Sequence, residues 1–202
     1  MPEAPRERLP ESVVTPPSDW QPHPERWSSH DDESTELEVT ELLAALCRAL
    51  QPDFVLETGT AFGQTTLALA DALHRNGQGE LYTVDRDPGR QARVQAQVPA
   101  VMQGRVHFVN AHSEEWQPPG GVRFGLAFVD CDFMRRPEVF EHFRPWFEPG
   151  AIVAFHDIAP SFHEGPHGYG AGLPRLLPLV DDGSVRLIAL RSPRGLALAE
   201  VL

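Results

Sequence analysis

Residues 55–67 read VLETGTAFGQTTL: a short apolar run, a turn with two glycines, and the opening of a helical pattern. Phe54, Val55 and Leu56 end in the acidic Glu57. Gly59 and Gly63 follow, and then Thr65, Thr66, Leu67, Ala68, Leu69, Ala70 and Leu73 begin a helix. That is strand, glycine turn, helix, with a carboxylate at the strand's end. Glycine lets the backbone approach a ligand with no Cβ in the way, and the first turn of a helix offers unpaired N–H groups to it. The unit predicts a nucleotide-like ligand.

Outward from that unit, strands and helices alternate. Before it, Leu37, Val39, Leu42, Leu43, Leu46 and Leu50 mark a helix, capped by Ser34 or Thr35, with Glu36 and Glu38 in its first turn and Pro52 as its stop. After the helix at 64–75 come a strand at 81–84 ending in Asp85, a helix from Asp87-Pro88 to about Val98, and strands at 106–109 and 124–129, the latter ending in Asp130. A helix is expected over 137–147 with Pro149-Gly150 as its stop, then an apolar strand at 151–155 ending in His156-Asp157. A His-, Gly- and Pro-rich loop over 159–172, a short helix at 173–180 and strands at 185–190 and 196–201 complete the chain. Alternation of this kind predicts an α/β fold, a Rossmann-like, doubly wound, mostly parallel sheet. The last two strands are separated by too few residues for a parallel crossover, so the final strand is expected to be antiparallel.

Residues 1–34 hold seven prolines in the first 24 positions, then SSHDDES, and read as a Pro-rich N-terminal arm before a domain at 35–202. Trp20 and Trp27 are expected to dock onto the domain or a partner, since exposed Trp pairs are unusual. The arm is a plausible strap for a homodimer. A net charge of −12 argues against a nucleic-acid surface. No apolar run reaches membrane-span length, and cytoplasm is the expected compartment. Cys47 and Cys131 form neither a disulfide framework nor a zinc pattern. All 17 basic residues are Arg; the absence of Lys excludes a Schiff base, a P-loop lysine and a lysine general base.

Ligands of open α/β sheets bind outside the carboxyl ends of the strands, where Glu57, Asp85, Asp130 and His156-Asp157 are all expected to lie. A dinucleotide fingerprint needs G-x-G-x-x-G, but Ala61 and Gln64 occupy the required glycine positions. A P-loop needs one more residue between the glycines and Lys where Gln64 stands. The remaining pattern is E-x-G-x-x-x-G, met by Glu57, Gly59 and Gly63.

On ETGTAFGQTT (57–66), LYTVDRDP (81–88), VHFVNAHSEEW (106–116), AFVDCDF (127–133) and PGAIVAFHD (149–157), residues 35–202 resemble the class I S-adenosylmethionine (SAM)-dependent methyltransferases. The likeness is to the small O-methyltransferase-like branch. It implies a seven-stranded sheet with an antiparallel last strand. It also implies SAM as cofactor: Gly59 and Gly63, with Thr60 and Thr65 of the same turn, beside its methionine part, Glu57 near its amino group, Asp85 on the ribose hydroxyls, and His112 and Ser113 at the adenine. His112 stands where the family usually has an acid. Asp130 lies where donor meets acceptor.

Several relatives hold a divalent cation at the ends of the fourth and fifth strands. Here Asp130, Asp132, His156 and Asp157 are the corresponding candidates for Mg²⁺ or Mn²⁺. The alternative is that His156 and Asp157 only hold the loop. Phe133 replaces the imidazole of the branch's D-G-D-H, which leaves His156 as first candidate for a general base, then His163 and His167; with Tyr169 and Gly170 these form a candidate acceptor lid. Cys131 reads as a packed small residue. The expected partner is a small-molecule acceptor, with no nucleic acid and no membrane. A hydroxylase-like or nicotinamide-dependent enzyme, or a non-enzymatic protein on the same scaffold, stays open.

Overall fold

The computed structural model describes residues 12–132, 135–159 and 172–202. Seven strands form one sheet: β1 (Phe54–Thr58), β2 (Glu80–Asp85), β3 (Val106–Asn110), β4 (Phe124–Val129), β5 (Phe147–His156), β6 (Val185–Leu190) and β7 (Leu196–Val201). The spatial order is β3-β2-β1-β4-β5-β7-β6. All pairs are parallel except those of β7, which runs antiparallel to both β5 and β6. The antiparallel final strand expected from the short connection is present, inserted between its two neighbours.

Five helices cover the sheet: α1 (Leu37–Leu50), α2 (Gln64–Asn76), α3 (Pro88–Gln97), α4 (Arg136–Phe143) and α5 (Gly172–Asp181). Strand alternation splits the core in two. Val55, Leu81, Leu126 and Phe128 pack with Val39, Leu43 and Cys47 of α1 and Leu69, Ala70 and Leu73 of α2. Leu56, Val84, Val129 and Phe155 pack with Val139, Phe140 and Phe143 of α4 and Leu176 and Leu179 of α5. The fully buried Phe, Leu and Ile side chains are each worth roughly 1.5–3 kcal/mol of burial.

Two local expectations are corrected. The helix expected over 137–147 ends at Phe143, passes through a 3₁₀ turn at Arg144–Trp146, and gives way to β5 at Phe147. Pro149-Gly150 therefore does not stop a helix. It lies in a bulge of β5: Phe124 pairs Phe147, whereas Leu126 already pairs Ile152. Neither Ser34 nor Thr35 caps α1; Glu36 holds the N-cap position without a side-chain cap bond.

The described part of the arm, from residue 12, packs on the domain's own surface. Trp20 packs against the core on the α4 and α5 face, and the Arg191 guanidinium sits 5.5 Å from its ring centroid. Further on, the Asp31 carboxylate accepts bonds from the backbone N–H groups of Glu33 and Ser34 and from the Ser34 hydroxyl. This turn feeds the chain into α1 directly above the carboxyl ends of β4 and β5. No helix of the described residues is long and apolar enough to cross a membrane.

Candidate active site

The sheet reverses winding direction between β1 and β4, and the cleft opens there. It encloses about 710 Å³ and is lined from β1 by Gly59, from β2 by Val84 and Asp85, from the segment after β3 by Ala111, His112 and Ser113, and from the ends of β4 and β5 by Asp130, Asp132 and Asp157. A narrow recess beside it is lined by Glu57, Thr60, Gly63 and Thr65, with Gly59 and Asp130 shared by both. All of the expected cofactor residues thus meet at one rim, divided between a broad cleft and its side recess.

The glycine turn is built by specific constraints. Gly59 has φ +92°, and an added Cβ would lie 2.8 Å from the Asp130 carbonyl oxygen. Gly63 has φ +85°, and its Cβ would lie 2.4 Å from Val94 Cγ1 of α3. Gly63 is therefore required by helix packing as well as by the recess. The Thr60 hydroxyl meets the Thr83 hydroxyl at 2.7 Å inside the protein, so Thr60 contributes its backbone N–H rather than its side chain. That N–H donates to Asp85 Oδ2 at 2.9 Å, and Ala61 N–H does so at 3.3 Å; Asp87 N–H donates to Oδ1 at 2.8 Å. Three backbone donors thus orient the Asp85 carboxylate at the cleft wall.

Glu57 is buried, with the Thr66 hydroxyl donating to its Oε2 at 2.5 Å. Burial pushes its pKa up from 4.5 to about 8; Thr66 and Thr83 pull it down by less, while Asp130 and Asp85 add to the rise. In the free protein Glu57 is a largely neutral acid at pH 7, which a cationic ligand group would ionise.

At the other end of the rim lies a largely buried polar cluster, of which Asp130, Arg136, Asp157 and Arg194 border the cleft. His156 is 0 % exposed. Its Nδ1 meets Asp130 Oδ1 at 3.1 Å and its Nε2 meets Glu36 Oε2 at 2.6 Å. Arg194 Nε and Nη2 donate to the two oxygens of Asp157 at 2.6 and 2.9 Å. Arg136 Nη2 bridges Asp130 Oδ1 and Asp157 Oδ2, each at 3.2 Å, and its Nη1 donates to the Asp157 carbonyl at 3.1 Å. The Thr35 hydroxyl donates to Asp130 Oδ2, and Arg194 N–H to Glu36 Oε1. Asp157 itself has φ +55°, a conformation that Asp tolerates better than most residues.

This cluster corrects the expectation of His156 as general base. Both ring nitrogens are engaged by carboxylates, and the ring lies beneath the cleft rather than on its wall. Burial alone would lower its pKa, but the charges of Asp130, Asp157 and Glu36 outweigh that and raise it from 6.5 to about 10. It is an imidazolium at neutral pH, without a lone pair to accept a proton. Asp157 is held well below the usual carboxylate range: burial opposes this, and His156, Arg194 and Arg136 overcome it. Burial likewise raises the Cys131 thiol pKa, in keeping with a packed residue. His163, His167, Tyr169 and Gly170 lie outside the described residues.

Of the four candidate metal ligands, Asp130, His156 and Asp157 converge, their ligand atoms within 4.8 Å of one another; Asp132 is not part of that group. Glu36, Arg136 and Arg194 belong to the cluster although the sequence did not single them out. Glu36 reads only as a first-turn helix acid, and no local pattern in the sequence marks Arg136 or Arg194.

The titrations fix a direction for stability against pH. Glu57 and His156 both bind their protons more tightly in the folded chain. Their contributions are full below about 4.5 and 6.5, respectively, and are lost as pH rises through about 8 and 10. The guanidinium-denaturation midpoint is therefore expected to fall steadily from pH 6.5 to 10, and Glu57→Gln to flatten the portion below 8. A midpoint that rises across this interval would contradict both assignments.

The sequence family described as "Methyltransferase domain" matches residues 56–158, just over half of the chain. The chain belongs to this family of methyltransferase domains. No curated protein matches it by sequence. Among solved structures, the O-methyltransferase from Bacillus cereus in complex with SAH is 18% identical, with a TM-score of 0.71 over 85% of this chain and 84% of that one. The O-methyltransferase TomG from Streptomyces achromogenes, involved in tomaymycin synthesis and solved with SAM, is 22% identical, with a TM-score of 0.70 over 94% and 92%. SAH-bound methyltransferase PaMTH1 from Podospora anserina is 16% identical, with a TM-score of 0.70 over 85% and 81%. These likenesses show a shared fold.

Proposed function

We propose that the chain is a SAM-dependent methyltransferase that methylates an oxygen of a small molecule. The observation that carries this is the Asp85 carboxylate, oriented by three backbone N–H groups at the wall of a 710 Å³ cleft between the glycine turn and Asp130. A carboxylate so placed suits the paired hydroxyls of a ribose. Gly59 and Gly63 leave room for the methionine part, Glu57 in the recess receives its ammonium group, and His112 and Ser113 border the adenine. The solved relatives named above that carry SAM or SAH share this fold.

In the transfer, a lone pair of the acceptor oxygen forms the new O–C bond while the C–S bond breaks. Sulfur keeps that electron pair, and SAM becomes SAH. The acceptor proton leaves to water in the open cleft beside Asp130. Alignment of oxygen, carbon and sulfur supplies most of the catalysis. Incubation with methyl-labelled SAM and a series of phenols, catechols and aliphatic alcohols tests the assignment. Label recovered as a methyl ether is expected; label found only on nitrogen, carbon or sulfur of any acceptor overturns the oxygen assignment.

A further inference from the structure

Resting on the acceptor site just proposed, we infer that Arg136 and Arg194 hold the place of a divalent cation, so that this methyltransferase works without one. Asp130, His156 and Asp157 have the residue types of a cation site, but their ligand atoms are already in use. Asp157 gives one oxygen to Arg194 Nε and the other to Arg194 Nη2 and Arg136 Nη2. Asp130 gives one oxygen to Arg136 and His156 and the other to Thr35. Both nitrogens of His156 face carboxylates.

Charge leads to the same conclusion. A guanidinium stays charged at any ordinary pH, so the two arginines bring two fixed positive charges to these carboxylates, as many as Mg²⁺ or Mn²⁺ would. Adding the ion would bring four positive charges from the ion and the arginines alone to a largely buried group, which is strongly unfavourable unless an arginine leaves. Arg136 is 3% exposed at its side chain and clamped at three points, so an ion would have to displace three hydrogen bonds to take its place. Geometry fits a guanidinium too: Arg194 grips the two oxygens of Asp157 through Nε and Nη2, the bidentate pairing that suits its planar fork.

The test is Mn²⁺ binding, read by the loss of the free-ion paramagnetic resonance signal, on the full chain without SAM. Its outcome is thus separate from whether SAM binds. The wild type is expected to show no saturable binding up to about 1 mM. Arg136→Ala, which vacates space between Asp130 and Asp157, is expected to gain one Mn²⁺ site at least about tenfold tighter than any wild-type binding. Saturable binding of one Mn²⁺ to the wild type, lost in Asp157→Asn, overturns the inference. So does a folded Arg136→Ala variant that gains no site. Should that variant fail to fold, the wild-type titration decides by itself.

Discussion

Asp85→Ala is expected to weaken SAM binding at least about a hundredfold, because two charge-assisted hydrogen bonds to the ribose, each worth about 1.5–3 kcal/mol, are lost together. The variant removes a second thing as well. Asp85 is the anchor for Thr60, Ala61 and Asp87 N–H, so the glycine turn loses the group that shapes it. Asp85→Asn separates the two effects. It keeps one oxygen to receive Thr60 and Ala61 and loses the charge that strengthens the ribose contacts. An intermediate affinity with near-normal thermal stability is expected. Unchanged SAM affinity in both variants would remove Asp85 from the cofactor site.

The second large effect is on stability. Asp157→Asn should destabilise the fold by about 3–5 kcal/mol, the cost of breaking a buried ion pair from one side. Arg194 and Arg136 lie almost wholly in the interior and would lose the carboxylate they share. For a chain of this length that corresponds to a fall in Tm of roughly 10 °C. Asn is the informative replacement because it tolerates the positive φ of residue 157 about as well as Asp. Any loss then belongs to the missing charge rather than to backbone strain. A loss below about 1 kcal/mol, as for a surface pair, would mean that the cluster is solvated and open.

The sequence made the sheet legible because β1, β2, β4 and β5 are apolar runs that give way to Glu57, Asp85, Asp130 and His156-Asp157 at their carboxyl ends. β4, β6 and β7 begin and end where the apolar runs do. The start of β5 was not legible: Phe147 follows directly on a helical stretch, and a register shift across Pro149-Gly150 separates it from the apolar run that pairs from Ile152. The lining of the cleft was readable because Gly59 and Asp130 sit one step past a strand end and Asp85 is the last residue of its strand. The buried cluster was half readable. His156 and Asp157 stand out at the end of β5, but their partners come from 120 and 37 residues away, and no local pattern marks Glu36 or Arg194 as theirs. That is why His156 reads as a base in the sequence and is a buried cation in the fold. A histidine after a strand looks accessible until the arm and the β6–β7 connection close over it.

The central claim is the identity of the methyl donor. Calorimetric titration of the full chain with SAM, run beside an identical titration with NAD, tests it most directly. One SAM site of micromolar affinity and no NAD binding is the predicted result. NAD binding without SAM binding would contradict the account, and binding of neither would leave a scaffold that has lost its cofactor.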